Sequence, residues 1–371
     1  MYFKNWPFRV VPERSPDLWA DRRKLFEDFH FLLKNSVERK RSMFYIIWGY
    51  IGAGKSHSLL HFKWLLEKES VVFIYSPLPK DMKRFGDLYK QGFFNALNFL
   101  SFSRIASDIW RKLNPKGIDP REEMRALEKV NNEIAGGWLD FAGVLMKLGK
   151  TVTLTGSLRD EICLLSQAWL SGVRLTKREL RELGVSANIT EDSDFVRATS
   201  AVIRTFAYEN GHVFWMLDDC HFFAAMKRRE RAFVAIQQGL RDVFDMSPDN
   251  LCLLLSFATR AVSAIEELLI EDLRSRMTST IEIAPLSPEE SFEFVIDLIT
   301  NERFKIQDAP ADKYYPYTKE GIELIIQRVS EEADLIPRDI MKRFDEITTK
   351  AEREIFPDRI TPDFVKMFFG R

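Results

Sequence analysis

Five short runs of apolar, β-branched and aromatic residues interrupt a chain whose hydrophobic spacing is otherwise mostly helical. The runs cover residues 44–48, 71–75, 213–217, 251–257 and 280–283. Runs that are apolar on both faces of the pleat are typical of central strands in a parallel sheet covered by helices. We therefore predict an α/β fold built on a five-stranded parallel sheet.

The interval between the second and third runs is about 130 residues long, whereas an ordinary crossover connection needs only a dozen or so. Its apolar residues recur with helical spacing, in pieces at residues 81–113, 120–148, 158–172, 177–183 and 193–210. We therefore predict a helical subdomain inserted into the α/β core.

Helical spacing returns after the fifth run. The sequence SPEES at residues 287–291 carries the serine and glutamate of a capping box, which is a helix-start signature. Helices are predicted at residues 288–301, 319–332 and 338–355, with a short one starting at Thr361. The predicted organisation is an α/β core of residues 1–79 and 211–286, an insertion of residues 80–210 and a C-terminal helical domain of residues 287–371.

Composition narrows the class of protein. A hydrophobic content of 46% excludes a disordered chain, and 54 basic against 55 acidic side chains exclude a surface that is basic all over. Three scattered cysteines, and a His57/His61 pair typical of one helix face, do not indicate a disulfide scaffold or a zinc site. No apolar stretch has the length of a membrane span, and the start lacks the pattern of a signal peptide. We expect a soluble, cytoplasmic protein with no membrane partner.

The most specific signal is GYIGAGKS at residues 49–56, which matches GxxxxGK[ST] completely and lies between a predicted strand and a predicted helix. Its glycines let backbone N–H groups and the following helix N-terminus approach a phosphate closely. Lys55 can then reach the β- and γ-phosphates, and the Ser56 hydroxyl can bind Mg²⁺. The predicted nucleotide-binding residues of this loop are Gly49, Tyr50, Ile51, Gly52, Ala53, Gly54, Lys55, Ser56 and His57.

A second motif, VFWMLDDC at residues 213–220, is an apolar strand that ends in two carboxylates. At the carboxyl edge of the sheet, Asp218 is predicted to hold Mg²⁺ and Asp219 to orient the attacking water or act as its general base. The alternative is an Asp pair that caps the next helix. Many ATPases of this layout carry Glu at the second position, so the shorter Asp219 leaves the rate of hydrolysis open.

These features together resemble the AAA+ ATPases. Within them, the chain is most similar to the branch that contains origin-recognition and helicase-loader, general-secretion-type and transposition-regulator ATPases. The resemblance extends from about residue 10 to the end, except for the insertion. It rests on residues 49–56 and 217–219, a polar residue on the fourth strand, an arginine before the fifth, and IPRD at residues 336–339.

The resemblance implies roles for residues outside the two motifs. Ser256, on a fourth strand that lies between the first and third, is implied to be the first sensor, with Thr259 as the alternative and strand-end capping as the simpler explanation of either. Arg276, or else Arg274, is implied to reach the nucleotide of a neighbouring subunit, although basic residues also favour a helix's last turn.

Two further implications concern the two ends of the chain. Arg338 is implied to be the second sensor, carried by the C-terminal helical domain acting as a lid, unless it is a solvated basic residue beside Asp339. Val11, with Val10 and Pro12, is implied to pack on the adenine of ATP. A weaker resemblance, to ATP-binding proteins of phage-exclusion systems, rests on WPFRVVPE at residues 6–13 and on WLSGVRLTKRELRELGV at residues 169–185.

Basic residues cluster at 38–42 and at 226–232. The second cluster lies in the predicted helix after Asp219, on a face that often borders the central channel in AAA+ assemblies. It could neutralise DNA phosphates without reading bases, although a solvated helix face is the default explanation. The nucleic-acid candidates are Lys227, Arg228, Arg229 and Arg231.

The leading hypothesis is an ATP- and Mg²⁺-dependent AAA+ switch that self-assembles as a ring or helix and acts on DNA or a DNA-bound protein. The alternative is a nucleotide-gated signalling or scaffold ATPase, for example in phage defence, whose insertion binds a protein effector and not DNA. A third hypothesis is a slow or inactive ATP-binding module, because position 219 carries an aspartate where many such ATPases carry a glutamate.

Overall fold

The computed structural model describes residues 2–8, 17–20, 22–66, 71–115, 119–306, 310–354 and 358–369. Five parallel strands form one sheet, in the order β2-β3-β4-β1-β5. Each predicted run lies within one of them, so the predicted fold class is confirmed. The strands are β1 (Met43–Gly49), β2 (Val71–Pro77), β3 (His212–Asp218), β4 (Leu251–Ala258) and β5 (Ser279–Ile283).

Helices connect and cover the strands. α1 (Arg23–Arg39) precedes β1, and α2 (Lys55–Leu66) follows it. The helices between β2 and β3 are α3 (Phe85–Leu88), which continues as a π-helical turn (Tyr89–Phe94), α4 (Phe99–Leu113), α5 (Pro120–Glu133), α6 (Leu139–Lys150), α7 (Ser157–Leu170), α8 (Lys177–Leu183) and α9 (Asp192–Asn210). The later helices are α10 (Phe223–Met226), α11 (Glu230–Met246), α12 (Val262–Glu266), α13 (Glu271–Arg274), α14 (Pro288–Thr300), α15 (Lys319–Glu332), α16 (Pro337–Glu354) and α17 (Pro362–Phe369).

Two predicted helices are each divided by a local break. The stretch 81–113 is interrupted before α4, where the Asn98 side chain accepts a hydrogen bond from the Ser101 N–H and caps a new helix. The stretch 120–148 is interrupted by Gly136 and Gly137, whose φ angles are 61° and 80°. Both breaks lie inside continuous helical spacing, so apolar periodicity alone did not reveal them.

The register brings the carboxyl ends of the strands to one edge of the sheet. Gly49, the last residue of β1, pairs with Ala258 of β4 and with Ile283 of β5. Asp218, the last residue of β3, pairs with Pro77 of β2. The loops that follow these strands therefore begin side by side, at the edge where parallel α/β sheets bind ligands.

Alternate residues of the strands pack into two hydrophobic clusters, one on each face of the sheet. On one face, the ring of Trp215 in β3 meets Phe93 of the insertion edge-on, with centroids 5.0 Å apart. On the other face, Phe214 shares a cluster with α1 and α2, where Phe29 and Phe62 stack at 4.3 Å. The inserted helices thus share a hydrophobic core with the sheet, and the division of the chain into three domains stays a prediction.

The C-terminal helices α14–α17 build a third cluster, and residues from the start of the chain belong to it. The ring of Phe8 lies 5.4 Å from that of Phe344, and the Tyr2 N–H donates to Glu352 Oε1 at 2.6 Å. The predicted capping box is present, because the Glu290 N–H donates to the Ser287 hydroxyl at the start of α14. Residues 2–8 and the C-terminal helices therefore form one packed unit, called the lid below.

Across the described ranges, no helix combines the length and the hydrophobicity that crossing a bilayer requires.

His212, at the start of β3, predicts a pH dependence of stability. The side chain is buried beside Ser36, whose hydroxyl lies 2.8 Å from Nε2, and burial lowers the pKa of His212 to about 4. In the unfolded chain His212 takes up a proton near pH 6.5, whereas in the folded chain it does so only near pH 4. The free energy of unfolding therefore has its full value above pH 6.5 and decreases as the pH falls toward 4. We expect urea unfolding to show a loss of about 2 kcal/mol from this group between pH 7.5 and 5.

The measurement compares wild type with His212→Gln, whose amide can donate to or accept from the Ser36 hydroxyl but does not titrate. The variant should lose the part of the pH dependence that His212 supplies, while the carboxylates supply the same slope to both proteins. Equal pH slopes in the two proteins would contradict the assignment.

Candidate nucleotide-binding site

Two positions of the loop between β1 and α2 require glycine. Gly49 has φ 157°, and a Cβ there would lie 2.3 Å from the carbonyl oxygen of Ile283. Gly52 has φ 88°, and its Cβ would lie 2.7 Å from Cβ of Arg338 in the lid. The loop therefore fits closely between the sheet edge and the lid.

Lys55 is the first residue of α2, and its ammonium group turns back into the loop. Nζ donates to the carbonyl oxygens of Gly49 at 2.9 Å and Tyr50 at 2.7 Å. Burial lowers the pKa of Lys55 to about 8, whereas Asp218 and Asp219 act to raise it. A buried cation is thus held where a phosphate would reach the α2 N-terminus.

Asp218 is buried, and each of its carboxylate oxygens accepts a hydrogen bond. Oδ1 accepts from the Asp219 N–H at 2.8 Å, and Oδ2 accepts from the Tyr75 hydroxyl at 2.9 Å. The structure therefore fixes both the position and the plane of this carboxylate.

Asp219 adopts a left-handed conformation with φ 58°, immediately before a 3₁₀ turn (Cys220–Phe222). Its side chain makes no capping hydrogen bond to that turn, which the capping alternative would require. Burial, and then the charge of Asp218, raise the pKa of Asp219, while His221, Lys55 and Lys80 act to lower it. Raising the pKa of a carboxylate makes it a better proton acceptor near neutral pH.

One cavity of about 410 Å³ brings the loop, Asp219 and the lid together. The residues from Ile51 to Ser58 line one side, and Arg338 lines another. The remaining wall is largely apolar and includes Leu18, Trp19 and side chains of α14. A volume in this range is ordinary for a small-molecule site, with polar groups at one end and apolar groups at the other.

His57 and His61 face Trp19, as expected for one helix face. The ring centroid of Trp19 lies 6.3 Å from that of His57 and 4.7 Å from that of His61. His57 Nε2 also donates to the carbonyl oxygen of Leu18 at 2.5 Å, and burial lowers the pKa of His57. His57 therefore fastens the cavity wall at residues 18–20 to α2.

Leu18 and Trp19 were missed by the sequence reasoning, because their contacts with α2 leave no local pattern. The predicted adenine contact Val11, with Val10 and Pro12, lies outside the described residues. Leu18–Ala20, a few positions further along, do line the cavity.

The donor set fits Mg²⁺ rather than a transition metal. Ser56 and Asp218 offer a hydroxyl and a carboxylate, and Mg²⁺ is usually held by one or two such oxygens together with water and phosphate. No group of three or more His, Cys, Asp or Glu side chains in the described part of the chain could hold a metal by itself.

The two sensor candidates, Ser256 on β4 and Thr259 just after it, do not line the cavity. Ser256 is buried and pairs with Ile47, and its hydroxyl has no hydrogen-bond partner among the described residues. The Thr259 hydroxyl accepts a hydrogen bond from the nearby Ala261 N–H at 3.3 Å. The cavity lining includes the intervening Ala258 and, within the described ranges, neither candidate.

Arg276 lies away from this cavity. Its guanidinium forms a two-point ion pair with Asp245 of α11, with N–O distances of 2.7 and 3.1 Å. Like Arg274, it precedes β5, so it lies toward the amino edge of the sheet, opposite the phosphate loop. The structure does not bring Arg276 together with Lys55 or Asp219 of the same chain.

The basic cluster differs in one respect from the prediction. It does not lie in a single helix, since α10 ends at Met226 and α11 begins at Glu230. Residues 227–229 form a turn in which the Arg229 N–H donates to the Met226 carbonyl at 2.7 Å, and Arg231 is in the first turn of α11. All four basic side chains are exposed, and in the part of the chain that the structure describes no ion pair involves them.

Comparisons with known proteins agree at the level of the fold. No family model matches the sequence, and no curated protein matches it by sequence. The ORC1 protein of Aeropyrum pernix, solved in complex with DNA, matches over 99% of this chain and 69% of its own, with a TM-score of 0.50 and 12% identity. The ORC2 protein of the same organism, solved as ADPNP–ADP complexes, matches over 99% and 71%, with a TM-score of 0.50 and 13% identity. This chain therefore has the fold of these two proteins, the AAA+ P-loop ATPase fold.

Proposed function

We propose that this chain binds ATP with Mg²⁺ and hydrolyses it, as an AAA+ switch that self-assembles and acts on DNA or on a DNA-bound protein. One observation carries the proposal: Lys55, Asp219 and the lid residue Arg338 come from three distant segments and meet at one cavity. A cation at the loop, a carboxylate opposite it and a second cation on a separate unit are the parts that phosphoryl transfer needs.

The geometry supports a proposed role for each of these residues. Ser56 and Asp218 would hold Mg²⁺, which when bound neutralises phosphate charge. Lys55 would exchange its two carbonyl partners for phosphate oxygens. Asp219 would accept the proton of the attacking water, a task for which its raised pKa suits it.

Arg338 would couple the nucleotide to the lid. It is the second residue of α16, and its Cβ approaches Gly52 closely enough that any larger residue there would collide with it. A γ-phosphate that draws the guanidinium toward the loop would therefore pull on the whole lid. A ligand shifts the balance between two domain arrangements when it makes contacts in one arrangement that it does not make in the other.

Self-assembly is supported by the position of Arg276. Because this side chain lies far from the cavity of its own chain, it could act only on the nucleotide of a neighbour. Asp245 would hold the guanidinium extended until a phosphate competes for it.

DNA binding is supported by the exposed basic side chains of residues 227–231. Their turn follows β3, so it lies toward the same edge of the sheet as the phosphate loop. The ORC1 neighbour was solved with DNA, which makes this partner reasonable to test first.

The test uses two triple charge reversals of equal size. Lys227→Glu with Arg228→Glu and Arg231→Glu should remove the increase in ATPase rate caused by duplex or single-stranded DNA, and weaken DNA binding at low salt about tenfold or more. The matched control reverses Arg39, Lys40 and Arg41, which are exposed at the opposite edge of the sheet and should keep the DNA effect. Equal losses in both variants, or no DNA binding by wild type at low salt, would refute direct DNA contact.

One observation favours the effector-binding alternative. Several large apolar side chains of the insertion are more than half exposed, including Leu139, Leu158 and Leu164. Such side chains are available to a protein partner. Absence of DNA binding, together with retained ATP hydrolysis, would make this alternative the better account.

A further inference from the structure

Tyr75, near the end of β2, has no role in the sequence motifs but touches the site directly. Its hydroxyl donates to Asp218 Oδ2 at 2.9 Å, across 143 residues of sequence. We propose that Tyr75 is a positioning residue, which fixes the Asp218 carboxylate in the orientation that binds Mg²⁺. This inference rests on the proposed function and adds a residue to it.

The strand register explains how the phenol reaches this carboxylate. Tyr75 pairs with Met216, two residues before Asp218. Because side chains alternate along a strand, Met216 and Asp218 lie on the same face as Tyr75. A diagonal neighbour of this kind is within reach of an aromatic side chain, so the contact follows from the pairing of β2 with β3.

Two donors act on different oxygens of the Asp218 carboxylate. The Asp219 N–H belongs to the main chain and remains in any variant, whereas the Tyr75 hydroxyl is the donor supplied by a side chain. The terminal torsion of an aspartate is broad and roughly two-fold, so one hydrogen bond alone holds its plane loosely. The phenol therefore selects one orientation of a carboxylate that is only 3% exposed.

A fixed orientation has a consequence for metal binding. Mg²⁺ requires nearly ideal octahedral geometry, so a carboxylate that rotates spends less time in a suitable position. Outer-shell partners of metal ligands typically change metal affinity or activity by about 10–100-fold when they are removed. Tyr75 is an outer-shell partner in this sense, because it contacts the ligand and not the metal.

The experiment removes one oxygen atom. Tyr75→Phe keeps the ring, so the fold is retained, and the matched control is Tyr89→Phe, which removes a buried hydroxyl that donates to the Leu170 carbonyl in the insertion. A fluorescent ATP analogue is titrated against each protein in EDTA and at rising Mg²⁺. Thermal unfolding of both variants reports the general cost of losing a buried hydrogen bond.

We expect Tyr75→Phe to need about tenfold or more Mg²⁺ to reach tight nucleotide binding, with nucleotide affinity in EDTA unchanged. Tyr89→Phe should match wild type in both conditions. A Mg²⁺ requirement of Tyr75→Phe within about twofold of wild type, or an equal loss of affinity with and without Mg²⁺, would overturn the inference while leaving the proposed function intact. If wild type itself shows no Mg²⁺-dependent binding, the proposed function fails and the inference fails with it.

Discussion

Replacing Lys55 with alanine should abolish measurable ATP binding, with a loss of affinity of about 100-fold or more, or roughly 3 kcal/mol. Lys55 is the cation that the loop encloses, and hydrogen bonds from an ammonium to phosphate are among the strong ones. The α2 N-terminus and the loop amides remain in the variant, but they do not replace a full charge. Isothermal titration with ATP and Mg²⁺ measures the loss.

The matched control is Lys63→Ala, which removes a lysine from the last turn of the same helix. It should bind ATP as wild type does, since its side chain lies about two turns from the loop. ATP binding by Lys55→Ala at wild-type affinity would show that the cavity is not a phosphate site.

Replacing Asp219 with asparagine should separate binding from hydrolysis. We expect single-turnover ATP hydrolysis to fall by about 100-fold or more, the usual contribution of a positioned general base, while ATP binding is retained. Asparagine has the shape of aspartate but cannot accept the proton. The folded state should tolerate the change well, because burial and the charge of Asp218 already disfavour the Asp219 anion.

The variant should therefore accumulate bound ATP, which rapid filtration with labelled nucleotide detects. Asp108→Asn, an exposed change on α4 in the insertion, is the control for loss of a carboxylate and should hydrolyse ATP normally. Turnover by Asp219→Asn at the wild-type rate would show that Asp219 has no role in hydrolysis. The hypothesis of a slow or inactive ATP-binding module would then lose its basis, because it depends on the aspartate at position 219.

The parts of this molecule that the sequence predicted well are those encoded by neighbouring residues. The five strands were predicted because each is a short run rich in apolar and β-branched residues. The loop at residues 49–56 was predicted because its glycines and Lys55 act at fixed spacing. Helix starts marked by a capping box, as at Ser287, could also be predicted from the sequence. The helix breaks before Phe99 and at Gly136 could not be predicted, since apolar spacing continues across them.

Contacts between distant segments account for the rest. Tyr75 and Asp218 are 143 residues apart, and Leu18 and His57 are 39 apart, so neither pair follows from a periodic pattern. The same holds for the approach of Arg338 to Gly52, which depends on how the lid sits on the loop. Motifs identify which chemistry is available, and tertiary packing decides which further side chains support it.

The packing of residues 2–8 into the lid sets the order in which the protein can mature on the ribosome. Tyr2 meets Glu352, a partner 350 residues further along the chain. At typical synthesis rates the aromatic segment waits roughly 20–70 s before that partner exists, with Tyr2, Phe3 and Phe8 uncovered meanwhile. The lid therefore cannot be completed before Glu352 has been synthesised, so the unit that carries Arg338 packs fully only after the α/β sheet has been translated.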